Sequence, residues 1–133
     1  MENVLSLIQK ANDDVELAKA ILKKENLHDQ CGYSLAQAVE KLLKGLILIH
    51  DQQYPREKQG HNLVMLFDMA DRLGLTYLAE FDDLIRLEVY GAASRYDYTA
   101  AEERVRLPDF LERVEKLQST TRNQMLKKLR NRR

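Results

Sequence analysis

Long runs of apolar residues at helical spacing, broken by few residues that stop a helix, fix the fold class of this 133-residue chain. Leu35, Val39, Leu42, Leu43, Leu46, Ile47 and Ile49 follow one another within a single uninterrupted stretch, and three- and four-residue steps dominate. That is the period of one helical face. The whole sequence holds 5 Gly and 2 Pro, too few for the many turns of a sandwich or barrel.

Read by the same period, the first helix is expected from Glu2 to Glu25, with Leu7, Ala11, Asp14, Ala18, Ile21 and Leu22 on one face. Asp14 interrupts the apolar stripe, either as a paired structural acid or as an acid facing a cleft. The second helix runs from His28 or Asp29 to His50, and Gly45 within it points to a close helix–helix approach. Asp51–Gly60 reads as a polar loop. A third helix starts at His61 or Asn62 and stops before Gly74, with Leu63, Leu66, Phe67 and Ala70 inward. After a brief connection at Leu75–Tyr77, a fourth covers Ala79–Ala93, with Phe81, Leu84, Ile85 and Glu88 on one side. Beyond the polar segment Ser94–Arg106, Pro108 fits the first turn of a helix over Leu107–Leu129, striped by Phe110, Leu111, Val114, Leu117 and Met125. The expected fold is all-α, a four- to five-helix up-and-down antiparallel bundle over residues 1–118. Residues 119–133 form a basic helix end or tail.

Charge is balanced overall, with 21 Lys+Arg against 21 Asp+Glu, but not locally. Arg122, Lys127, Lys128, Arg130, Arg132 and Arg133 give residues 119–133 a charge of +6 with no acid, leaving −6 on the rest. Such an end suits nucleic acid or an acidic partner, or is a solvated terminus whose cations complement the helix dipole. The single Cys31 excludes an intramolecular disulfide, and with only three His it argues against structural zinc. Nothing in the pattern calls for a metal or cofactor. No apolar run reaches the ~20 residues of a membrane span, and the N-terminal stretch lacks the basic and apolar regions of a signal peptide. The expectation is therefore a cytoplasmic protein without a membrane partner.

Helices joined by a tight bend lie antiparallel, so residues equidistant from the bend become neighbours. With the bend between the third and fourth helices near residue 77 or 78, His61 and Arg95 fall symmetrically about residue 78. The loop centred near 55 brings Lys44 to the same region, and Tyr90 lies just before Arg95. Lys44, His61, Tyr90, Arg95 and Tyr96 then offer cationic donors, an imidazole and aromatic faces, a set suited to phosphate or nucleotide. The alternative is structural: His61 opens a helix, Arg95 caps one, and the tyrosines edge the core. On the second helix, Gln37, Glu40, Lys41 and Lys44 form a polar stripe, with Glu40 and Lys44 in the favourable order for a surface ion pair.

These residues carry a resemblance. Ala36-Gln37-Ala38-Val39-Glu40-Lys41-Leu42-Leu43-Lys44-Gly45-Leu46 resembles the "QAxEKxLKxL" helix of HEPN domains (higher eukaryotes and prokaryotes nucleotide-binding). In the same order, Ala11…Asp14…Ala18 resembles the family's A-x-x-D-x-x-x-A, and His61-Asn62-Leu63…Leu66 its H-x-L-x-x-L. Arg95-Tyr96-Asp97 resembles its R-Y-P or R-Y-D element, so the likeness spans about residues 8–118. The resemblance implies a four- or five-helix bundle, commonly a homodimer, linked to nucleotides or RNA. A similar bundle forms the C-terminal part of kanamycin nucleotidyltransferase. Family members often act beside a minimal nucleotidyltransferase in toxin–antitoxin-like two-component systems.

Many members are metal-independent ribonucleases with an Arg-x(4–6)-His motif on a late helix. Here Arg56…His61 has that spacing but lies before the third helix. The sequence is thus closer to a binding or partner module, with Lys41, Lys44, His61, Tyr90, Arg95 and Tyr96 as ligand candidates. The alternatives are an endoribonuclease drawing on His61, Arg95 and Arg56, and a purely structural dimerising protein.

Overall fold

The computed structural model describes residues 2–50, 62–90 and 106–131. Four α-helices make up most of it: α1 (Glu2–Ile21), α2 (His28–His50), α3 (Leu63–Arg72) and α4 (Leu107–Asn131). Glu25–Leu27 is a 3₁₀ turn, and Thr76–Tyr90 is a 15-residue 3₁₀ helix. No strand occurs among the described residues, and the fold is an all-α bundle.

The helices start and stop largely where local chemistry directs. The α1 helix ends at Ile21, short of the expected Glu25, because Lys23, Lys24, Glu25 and Asn26 are all exposed and bring nothing to bury. Asn62 caps α3 by accepting the Val64 N–H at 2.8 Å. That helix closes with a Schellman arrangement: Gly74 N–H donates to the Asp71 carbonyl at 2.9 Å and Leu75 N–H to that of Ala70 at 3.0 Å. Gly74 adopts φ 82°, which its missing side chain permits. The α4 helix runs unbroken through Ser119, so the basic stretch is helical to Asn131.

The central element is α2, which touches every other long helix. Its Cys31, Leu35, Ala38, Val39, Leu42, Leu43, Leu46 and Ile47 are fully buried. The α1 helix lies antiparallel to it, since Ala18 meets Cys31 near one end and Val4 and Ile8 meet Gly45 near the other. The 3₁₀ helix is antiparallel to α4, with Lys116 on Glu80 at 2.9 Å and Arg113 on Asp83 at 2.7 Å. Arg113 and Lys116 also lie over the Phe81 ring, 5.6 and 5.9 Å from its centre respectively. The α1 and α4 helices are antiparallel as well, tied by Lys19–Glu115 at 2.8 Å and Gln118–Asn12 at 2.8 Å. Hence α2 and α4 point the same way, and their C-terminal ends share one end of the bundle.

The fourth expected helix differs from its reading in start, winding and buried face. It begins at Thr76 rather than Ala79 and buries Leu78, Phe81, Leu84, Leu87 and Tyr90. In an α-helix each three-residue step falls about 60° short of a full turn, so these five would wrap around the axis. At three residues per turn they stand in one row. Ile85 and Glu88, assigned by the α period to the inward side, are only half-buried.

Candidate functional site

The end of the bundle where α2 begins joins α3 to the 3₁₀ helix. The Glu88 carboxylate accepts the Leu63 N–H at 2.6 Å, satisfying a free donor of the α3 first turn. This pair centres the hairpin between residues 75 and 76, about two positions before the expected 77 or 78. One step further along, Tyr90 is 2% exposed and its ring lies against Gly32, where any Cβ would overlap it. The close approach expected at Gly45 is found at Gly32 instead. A Cβ on Gly45 would meet Ile8 and Val4 no closer than an ordinary 3.5 Å.

Tyr90 therefore presents no ring face to a ligand; the three-residue winding turns it into the core. His61, Arg95, Tyr96 and Arg56 lie outside the described residues. Lys44 follows Gly32 by twelve helical positions, about 18 Å of rise, so it does not gather with Tyr90. Its ammonium instead meets Glu40 at 3.1 Å, both side chains only 16% and 14% exposed. Beside it, Lys41 donates across the helix pair to Asp14, which resolves Asp14 as a paired structural acid. The stripe is thus half-buried, with Lys41 matched to Asp14 across the α1–α2 contact and Lys44 to Glu40 along α2.

Other titratable groups are set by burial. Cys31 donates to the Ala18 carbonyl at 3.5 Å, and desolvation pushes its thiol up to about 11, so it remains protonated and unreactive at neutral pH. The Tyr77 and Thr121 hydroxyls are buried without a hydrogen-bond partner, and burial raises the Tyr77 phenol to about 12. At the other end of α2, desolvation first and the Lys128 charge second hold His50 below its ordinary 6.5.

A cavity of about 420 Å³ between the 3₁₀ helix and the start of α4 is lined by Asp83, Arg106, Asp109, Phe110, Glu112 and Arg113. The sequence reading did not single it out. Its three carboxylates outnumber its two guanidiniums, and Arg113 is already engaged by Asp83, so it has no cationic excess for phosphate. Among the described residues no group of His, Cys, Asp and Glu is placed to hold a metal ion. No described helix is long and apolar enough to cross a membrane.

Compared with known proteins, residues 4–124 match the family model of the HEPN domain. No curated protein and no solved structure matches the chain.

Proposed function

Because the chain belongs to the HEPN domain family, we propose that it binds a nucleotide or RNA end through His61, Arg95 and Tyr96. In this reading it works as a dimeric partner of a minimal nucleotidyltransferase in a two-component, toxin–antitoxin-like system. Family membership supports the coarser statement, a nucleotide- or RNA-binding or ribonuclease-like module.

One observation supports the choice of residues: the hydrogen bond between Leu63 and Glu88. It fastens the chain leaving His61 to the chain leading toward Arg95 at one end of the bundle. The guanidinium of Arg95 would grip phosphate oxygens through paired donors. His61 would add a donor that titrates near neutrality, and the Tyr96 ring a face for base stacking. In this account Lys41 holds the α1–α2 contact and Lys44 pairs with Glu40 along α2, rather than either gripping the ligand.

Isothermal titration with ATP, AMP and a short RNA tests the reading. Binding weakened at least tenfold by Arg95→Ala is the expected result, whereas no heat from the wild type ends the ligand proposal. Incubation with total RNA in EDTA separates binding from cleavage. Intact RNA fits a binding module; degradation abolished by His61→Ala would replace it with a metal-independent ribonuclease. Sedimentation at several concentrations reads the dimer, and co-purification with a nucleotidyltransferase encoded beside it reads the partner.

A further inference from the structure

The bundle's cations fall into two populations. Across its body ion pairs match Lys19 to Glu115, Lys41 to Asp14, Lys44 to Glu40, Arg72 to Asp68, Arg113 to Asp83 and Lys116 to Glu80. The exposed Lys10, Lys23 and Lys24 make no ion pair among the described residues, but each stands within four residues of an acid in the sequence. In the last three turns of α4 the cations have neither an ion pair nor an acid so near. No acidic residue follows Glu115 in the sequence. Among the described residues, Arg122, Lys127, Lys128 and Arg130 make no ion pair. Arg122, Lys127 and Arg130 are exposed and Lys128 half-buried, with the exposed amides of Asn123 and Asn131 beside them in the sequence. Arg122 to Arg130 spans about 12 Å of helix.

We infer that this end of α4 binds the phosphodiester backbone of nucleic acid, on a surface at the opposite end of α2 from the Leu63–Glu88 hydrogen bond. Its placement carries the separation. The charge of Lys128 reaches His50 at the last residue of α2, whereas Tyr90 and Leu63 belong to the end where α2 begins. Gly32, on which Tyr90 lies, and His50 are about 27 Å apart along α2. Chemistry carries the choice of ligand. Guanidinium, ammonium and amide donors without a competing carboxylate are what phosphate oxygens recruit, and such contacts position a strand without reading its sequence. A lipid surface would ask for a broad apolar face with aromatic anchors. Here the exposed large apolar residues are Leu126 and Leu129, with no aromatic residue after Phe110.

The probe is fluorescence anisotropy with labelled 20-mers of oligouridylate and oligothymidylate over a salt series. Four neutralised phosphates give a slope of log affinity against log salt of about −3, alike for both strands. The variant Arg122→Gln/Lys127→Gln/Arg130→Gln, at exposed positions, is expected to flatten the slope to about −1 and weaken binding at least thirtyfold, with an unchanged circular dichroism spectrum. Arg95→Ala, by contrast, leaves the slope in place. Equal oligonucleotide binding by the triple variant and the wild type overturns the inference, even if Arg95→Ala then abolishes binding and upholds the nucleotide site. A slope near zero overturns it as well. So does wild-type binding to phosphatidylserine vesicles without oligonucleotide binding, which would make the surface a lipid one.

Discussion

The two ends of α2 each carry a glycine, and the two glycines do different things. At the beginning of the helix, Gly32 lies beneath the Tyr90 ring, its neighbour Cys31 bonds to the Ala18 carbonyl, and Ser34 and Leu35 are buried beside them. Near the other end, Gly45 has room for a methyl group, Lys44 is held by Glu40, and His50 emerges beside Lys128. One end is fixed by shape, the other by charge. Packing in a full interior tolerates no added volume, while ion pairs at a partly wet surface tolerate adjustment.

That contrast is open to direct attack. Gly32→Ala is expected to cost about 3 kcal/mol or more, because Tyr90 must leave its seat in the core; urea denaturation measures it. Tyr90→Leu in the same chain should return part of the loss, and an undiminished penalty would show that the ring is not the obstacle. Lys41→Met comes next, at about 1–2 kcal/mol, since it strands the half-buried Asp14 carboxylate without its partner. Adding Asp14→Asn should recover some of that stability. Gly45→Ala should act in the opposite direction and stabilise by about 0.5–1 kcal/mol, the helix-propensity gain where space permits a methyl group.

The smallest effect concerns pH. His50 has a folded pKa below its unfolded value, so the unfolded chain takes up the proton first as pH falls. Stability should therefore decline on acidification through about pH 6.5. His50→Gln should match the wild type at pH 7.5 and lose less by pH 5, read as thermal midpoints at each pH. Lys128→Gln should narrow that difference only in part, because burial is the larger cause.

Much of the architecture was legible in the residues. The stripes of α1, α2 and α4, the Gly74 stop and the Glu40–Lys44 pair all follow from spacing and local chemistry. What eluded sequence reasoning depends on winding and on what lies across the way. Leu78, Phe81, Leu84, Leu87 and Tyr90 recur every third residue, whereas an α period puts Glu88 inward. Gly45 reads as the close contact from its place inside the helix; only the path of the 3₁₀ helix shows that Gly32 is the one pressed by a ring. The candidate site was partly readable. Symmetry about the bend and the family motifs both name His61 and Arg95, but nothing in the spacing reveals that Tyr90 is core or that Lys41 reaches across to Asp14.

The row of five side chains along the 3₁₀ helix also constrains how this stretch can change in length. Inserting or deleting one residue there would rotate everything beyond it by about 120° and swing the inward row out to water. A gain or loss of three would restore the alignment one rung along. Length variation in this stretch should thus be tolerated in triplets, a ratchet that the neighbouring α-helices, with their non-integral repeat, do not share.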